Sequence, residues 1–191
     1  MDVLSVDPAD KPLLEECARL MAVSEPWITL QRSFDSALLA LRDPGKELHV
    51  VQPLGGVEAF ILLDMRGPLA GYIQSIGVRA DRRGQGVGAA LIAWAEDRIF
   101  RDSPNVFLCV SSFNVGARRL YERLGYAEVG RLPAFIVREH DELLLRKTRG
   151  PWVEFSRPPA PREISPIVEQ GAAPERERLL DRHCHALTAG G

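Results

Sequence analysis

The sequence predicts a single mixed α/β domain, and three observations predict it. Short β-rich runs fill the stretch from Glu47 to Val78. A glycine-rich segment then leads into an apolar pattern at helical spacing: Ala89, Ala90, Leu91, Ile92, Trp94, Ala95 and Ile99. A further strand, a further helix and a final hairpin follow. Helices flanking a mostly antiparallel sheet with one parallel pair satisfy that order.

Met1 to Val6 alternates weakly and is read as a first short strand. Asp7 and Asp10, with Pro8 and Pro12, form a helix start, because proline is tolerated in a first turn. Leu13, Leu14, Cys17, Leu20 and Met21 then mark a helical stripe. After the break at Glu25-Pro26, a second helix is expected from about Leu30 to Leu41, stopped by Asp43-Pro44-Gly45. Glu47 to Gln52, Val57 to Asp64 and Leu69 to Val78 read as three strands of an antiparallel meander. The helix from about Gly86 to Arg101 joins the last of these to Val106–Val110, a short apolar run typical of a buried strand. A helix between two neighbouring strands makes them parallel. Val115 to Leu124 is a further helix, stopped by Gly125, and Tyr126–Leu132 with about Glu139–Thr148 form the closing hairpin.

This gives a domain over residues 1–150 and an extension over 151–191. Pro151, Pro158, Pro159, Pro161, Pro166 and Pro174 punctuate the extension, which cannot hold a core of its own. Glu175 to Leu187 is read there as a short helix. The extension either packs on the domain or reaches a second copy of the chain in a homodimer.

Composition bounds the function classes. Of 191 residues, 46% are hydrophobic and 26% charged, which suits a globular chain with a real core. A net charge of −2 argues against a nucleic-acid partner. No apolar run approaches the roughly 20 residues that span a bilayer, and Met1 to Asp10 has neither the basic start nor the apolar core of a signal peptide, so no membrane association is expected. Three widely spaced cysteines, Cys17, Cys109 and Cys184, do not form a disulfide framework and fit a reducing cytoplasm.

The chemistry centres on Val78 to Gly88, VRADRRGQGVG. Glycines let backbone N–H groups converge, and a helix start adds unpaired donors with partial positive charge. Such a loop binds a phosphate or pyrophosphate. The Gly-Lys-Ser/Thr ending of a nucleotide-hydrolysing loop is absent. A dinucleotide-binding unit wants a parallel sheet before the loop, and here the preceding strands are antiparallel.

A second motif narrows the ligand. Asn114-Val115-Gly116-Ala117-Arg118-Arg119-Leu120-Tyr121-Glu122-Arg123-Leu124-Gly125-Tyr126 resembles the second signature of the GNAT family of acetyl-CoA-dependent N-acetyltransferases. The family's first signature, Arg/Gln-x-x-Gly-x-Gly/Ala, is matched by Arg83-Gly84-Gln85-Gly86-Val87-Gly88. The resemblance covers roughly Met1 to Thr148. It implies an acetyl group passed from acetyl-CoA to an amine by direct attack in a ternary complex. The pyrophosphate would sit on the amides of Arg83, Gly84, Gln85, Gly86, Val87 and Gly88. The pantetheine arm would lie between two splayed strands, paired with the backbone near Ile76, Gly77 and Val78. Asn114 would fix the arm, with Ala117 and Arg118 beside it. Tyr121 would protonate the departing thiolate.

The base is less legible. Many members of that family place a glutamate on the strand before the first signature, where this chain has Gln74. Glutamine cannot accept a proton, so Glu58 or an ordered water is the candidate. The Gln74 departure also sustains an alternative, a CoA-binding sensor or interaction module that has lost catalysis. Arg82 and Arg118 are read as either phosphate contacts or surface arginines. Cys109 is read as a core residue, His140 with Arg138, Glu139, Asp141 and Glu142 as a hairpin turn in preference to a polar substrate rim, and Trp27, Phe34 and Trp152 as either core or rim of the acceptor pocket. His183-Cys184-His185 lacks the further ligands that a metal site needs, so no metal is expected.

Overall fold

The computed structural model describes residues 1–53 and 55–157. Seven strands form one sheet: Leu4–Ser5 (β1), Glu47–Val51 (β2), Ala59–Asp64 (β3), Tyr72–Val78 (β4), Asn105–Ser111 (β5), Ala127–Val137 (β6) and His140–Thr148 (β7). Their spatial order is β1-β2-β3-β4-β5-β7-β6. Every neighbouring pair is antiparallel except β4 with β5. Four helices cover the sheet: Lys11–Ala22 (α1), Phe34–Leu41 (α2), Val87–Ile99 (α3) and Val115–Arg123 (α4). The fold is the mixed α/β arrangement that the sequence predicts.

Strand alternation sorts the apolar residues into two cores, one on each face. On one face, Ile61, Leu63, Ile73, Leu108 and Val110 lie under Leu91, Ile92, Ala95 and Ile99 of α3 and Tyr121 of α4. On the other, Val50, Phe60 and Leu62 lie under Leu14, Cys17 and Met21 of α1 and Leu38 and Leu41 of α2. Trp27 belongs to this second core, its ring 5.9 Å from that of Phe60, and Phe34 packs against it. Both are therefore packing residues. Trp152 is half exposed and faces Phe155.

Local chemistry sets the element ends. Asp10 caps α1 by accepting from the Leu13 N–H. The helix expected from Leu30 begins at Phe34 instead, because Ser33 accepts from the Ser36 N–H and fixes the first turn there. The last strand pair is longer than expected. β6 runs to Val137 through two register irregularities, the second spanning Pro133, which an edge strand tolerates.

The strands β4 and β5 matter most for function. They meet closely at their start, where Phe107 N donates to Gly71 O at 3.0 Å. Gly71 has φ +95°, and a Cβ there would lie 2.5 Å from the Asn105 carbonyl oxygen, so this approach requires glycine. Only Tyr72↔Phe107 and Ile73↔Leu108 pair in parallel. Opposite, β3 pairs Leu63 with Ile73 and Leu62 with Ser75, which leaves Gln74 as an extra residue in β4. Such a bulge bends its strand and increases its twist. The strands part from that point.

The short helix expected over Glu175 to Leu187 and the His183-Cys184-His185 run lie outside the described residues. Among the described residues, no helix is long and apolar enough to cross a membrane, and no group of three or more His, Cys, Asp or Glu side chains is placed to hold a metal ion.

Candidate active site

The glycine loop joins the open end of β4 to α3. Gly84 and Gly86 take φ +72° and +84°. Gly86 is the N-cap of α3 and has no side chain to cap it. Among the described residues, the N–H groups of Gly84, Gln85, Gly86, Val87, Gly88 and Ala89 donate to no protein acceptor; the first bond of the helix runs from Ala90 N to Gly86 O. A Cβ placed on Gly84 or Gly86 would meet nothing within 4 Å. The glycines therefore serve the backbone turn and leave free space in front of the donors. A run of free N–H groups at a helix start suits a pyrophosphate.

Side chains of the loop are spent on holding it. Arg83 Nε donates to Val78 O at 3.1 Å, and Gln85 Nε2 donates to Asp81 O at 2.9 Å. Arg82 donates to the carboxylate of Glu58, which is 4% exposed. Arg82 thus compensates the charge of Glu58 through one carboxylate oxygen, Oε1. The structure gives Arg82 an anchoring contact where the sequence suggested a phosphate contact.

Beyond Ile73, the edge of β4 that faces β5 has no strand partner. Ile76, Gly77 and Val78 remain paired to β3 through Ile61, Phe60 and Ala59, so this stretch is rigid on one side and open on the other. Across the gap, β5 ends at Ser111 and Asn114 begins α4. Asn114 Oδ1 accepts from the Ala117 N–H at 3.2 Å, which makes the residue an N-cap. Its amide NH₂ is the part left for a ligand. Arg118 Nη1 donates to Ser112 O at 3.3 Å and braces the same turn, while Ala117 packs into the core beneath α3.

Tyr121 lies one turn further along α4. Its ring is buried and stands edge-on to that of Tyr126 at 5.8 Å. Burial pushes its phenol up to about 12, so it stays protonated at neutral pH. Behind it, the Tyr126 hydroxyl and Glu96 Oε1 are both sealed from solvent without a hydrogen-bond partner among the described residues. Lys147 Nζ contacts Glu96 Oε2 at 2.6 Å and compensates that buried carboxylate.

The opposite face of the gap carries a group that the sequence offered only within the polar cluster around His140. Glu142, near the start of β7, stands across from Ser111 in the β5–β7 register. It is 3% exposed, and Ser111 Oγ donates to its Oε1 at 2.5 Å. Burial lifts its pKa above the ordinary carboxylate range, against the Ser111 hydrogen bond and the charges of Arg32 and His140. Tyr72 and Cys109 sit near it; burial raises both, Cys109 and Glu142 add to the rise of Tyr72, and for Cys109 the Tyr72 hydrogen bond works against burial while Glu142 adds to it. Cys109 therefore holds a thiol and lines the gap half-buried, outside both cores. His140 is not in the turn but opens β7, its ring 4.5 Å from that of Phe113. One sequence signal for Glu142 existed: it shares an alternation with Leu144, so a carboxylate falls on a covered position of a strand. A cavity of about 450 Å³ adjoins the loop itself, lined by Val51, Glu58, Arg82, Gln85, Gly86 and Val87 among others.

Two parted parallel strands beside a helix start with free N–H donors define a binding fold for an extended, phosphorylated ligand. The chain belongs to the acetyltransferase (GNAT) family, whose model matches residues 10–126. It is 35% identical over 89 residues to an uncharacterized N-acetyltransferase of Methanocaldococcus jannaschii; the match spans 44% of this chain and 57% of that relative's length. The fold is similar to that of an aminoglycoside 6'-N-acetyltransferase complexed with coenzyme A (TM-score 0.65, 16% identity, 79% of this chain and 98% of that one). It is also similar to a chain in the NatC complex bound to Gag peptide and CoA (TM-score 0.58, 19% identity, 78% and 100%).

Proposed function

We propose that the protein is an acetyl-CoA-dependent N-acetyltransferase acting on a primary amine. The observation that carries this reading is the junction of the free N–H groups of Gly84 to Ala89 with the open edge of β4. That junction offers a phosphate cradle and an extended slot in one line, the shape of acetyl-CoA's pyrophosphate and pantetheine arm. Membership of the family supports it.

In this reading the amides from Gly84 to Gly88 hold the pyrophosphate, the Arg83 N–H that the sequence also offered being bonded to Ala80 O at 3.4 Å instead, and the backbone of Ile76 to Val78 pairs with the arm as a strand would. A backbone N–H there also polarises the thioester carbonyl. The free amide of Asn114, with Ala117 and Arg118 behind it, bounds the other wall. Tyr121, neutral because it is buried, supplies a proton to the departing sulfur. Glu58 is assigned to anchoring Arg82 and hence the loop, since its carboxylate is already engaged. The acceptor amine enters from the α1–α2 side and attacks directly. Cys109 is no acyl carrier, because its thiol is held protonated. Similar folds occur in an aminoglycoside 6'-N-acetyltransferase and in a complex bound to Gag peptide, so the fold alone does not select the acceptor.

The test is release of free thiol from acetyl-CoA with a panel of polyamines, aminoglycosides and peptides, with mass spectrometry of the products. Amine-dependent thiol release with an acceptor heavier by one acetyl group is the expected result. Tight acetyl-CoA binding without turnover on any amine would instead favour the sensor reading.

A further inference from the structure

An acetyl transfer to an alkylamine needs a base, and Gln74 leaves β4 without one. An alkylammonium has a pKa of about 10, so most of it is unreactive at neutral pH. Glu58 is engaged by Arg82. The carboxylate that remains near the parted strands is Glu142. It is placed by the sheet itself, since the β5–β7 register sets Glu142 directly across from Ser111 at the end of β5. Residues that pair in an antiparallel ladder share a face, and so do residues two apart along a strand. Glu142, Ser111, Cys109 and Phe107 therefore line one face, and Tyr72, the partner of Phe107 in β4, joins them. That face is opposite the one covered by α3 and Tyr121.

The carboxylate is fixed but not exhausted. Oε1 accepts from Ser111 Oγ, while Oε2 has no hydrogen-bond partner among the described residues and is not sealed from solvent. The groups that face it are Ser111 and Cys109 from β5, Tyr72 from β4, His140 from its own strand and Arg32 from the segment between α1 and α2. Burying a carboxylate with one neutral hydrogen bond is costly unless a cation joins it. A site with that cost and one open oxygen suits a cationic guest.

We propose that Glu142 is the general base of this acetyltransferase, and that the acceptor is a primary alkylammonium whose proton passes to Glu142 Oε2. The inference rests on the acetyl-transfer reading above. Glu142 takes one proton from the ammonium and becomes the neutral acid. The freed amine forms a C–N bond to the thioester carbonyl carbon. The C–S bond then breaks with its electron pair on sulfur, and Tyr121 gives that sulfur a proton. The second nitrogen proton leaves to water, from which Tyr121 is reprotonated, and Glu142 releases its proton to solvent. One acetyl group moves and one net proton is released per turnover.

The substitution Glu142→Gln keeps the shape and a partner for Ser111 but cannot take a proton. It should lower kcat/KM for an alkylamine by roughly 10²-fold or more, leave acetyl-CoA affinity unchanged by calorimetry, and erase the acidic limb of the pH profile. Glu142→Asp should recover part of the rate and restore an acidic limb. Wild-type kcat/KM and an unaltered acidic limb in Glu142→Gln would overturn the assignment. If Glu142→Gln fails to fold, the Asp variant decides: a shifted limb supports the base, and an unmoved limb overturns it. A wild-type protein that acetylates no amine overturns the acetyl-transfer reading and this inference with it. Turnover by wild type with an indifferent Gln variant overturns this inference alone.

Discussion

At the scale of single residues, the proposed mechanism separates two proton tasks by face. Tyr121 is buried beneath α4 and holds its proton because burial disfavours the phenolate. A group pushed up to about 12 stays protonated through the neutral and mildly basic range, so Tyr121 itself gives no basic limb to the rate profile there. Removing only its hydroxyl should therefore cut turnover without touching the fold, whose contacts are made by the ring. Tyr121→Phe is expected to lower kcat by about 10²-fold, with acetyl-CoA affinity and melting midpoint unchanged, as read by thiol release, calorimetry and thermal unfolding. A Phe variant with wild-type kcat would remove the phenol from the mechanism. Tyr121 was legible in the sequence because the Asn114 to Tyr126 motif names it. Glu142 was not. In the chain it sits within Arg138-Glu139-His140-Asp141-Glu142, which reads as a hairpin turn in preference to a polar substrate rim. Its meaning arises only when β7 pairs with β5, 31 residues away. Glu58 shows the reverse: an acidic residue in a plausible place, claimed by an arginine that the sequence had pointed at phosphate.

At the scale of elements, α3 and the loop before it were readable because their requirements are local. A turn that needs positive φ at two positions and a helix without a side-chain cap both follow from the placement of Gly84 and Gly86. The bulge at Gln74 was hidden, because strand alternation around it reads as unbroken and the extra residue exists only relative to Leu62 and Leu63. The same distinction revises the reason for a loop substitution. Sequence logic suggests that a side chain at Gly86 would fill the space of the pyrophosphate. Among the described residues, no protein atom lies within 4 Å of the added Cβ, so that space is kept free in front of the donors. The structure adds a backbone penalty, since Gly86 takes φ +84°. A left-handed residue costs roughly 1–2 kcal/mol for an ordinary side chain, and a β-branched one is worse placed still. Gly86→Val should thus relax the loop to negative φ, turn the N–H groups away, and weaken acetyl-CoA binding at least tenfold by calorimetry. Gly86→Ala should weaken it less. Wild-type affinity in the Val variant would take the loop out of donor binding.

At the scale of the whole molecule, one sheet holds two cores and parts along a single line between them. In the proposed mechanism the donor's phosphates and Tyr121 lie with the α3–α4 face and Glu142 with the α1–α2 face. That mechanism puts the two proton tasks on opposite sides of one slot, and the stability of the molecule should register what that costs. Glu142 has a folded pKa raised above its unfolded value, with burial as the dominant cause. The folded state therefore holds this proton more firmly than the unfolded chain does. The stability linked to it is present below the unfolded carboxylate range and is lost as pH rises through the raised folded value. At neutral pH the ionised side chain accordingly weighs against folding, and Glu142→Gln removes that burden while keeping the volume. The variant's melting midpoint should exceed that of the wild type at neutral pH, and the difference should shrink to nothing in acid, where wild-type Glu142 is itself neutral. Paired thermal unfolding across that range measures it. A Gln variant less stable than the wild type at neutral pH would mean that the carboxylate supports the fold. A more stable variant that has lost turnover would mean the sheet keeps a strained charge in place for the amine.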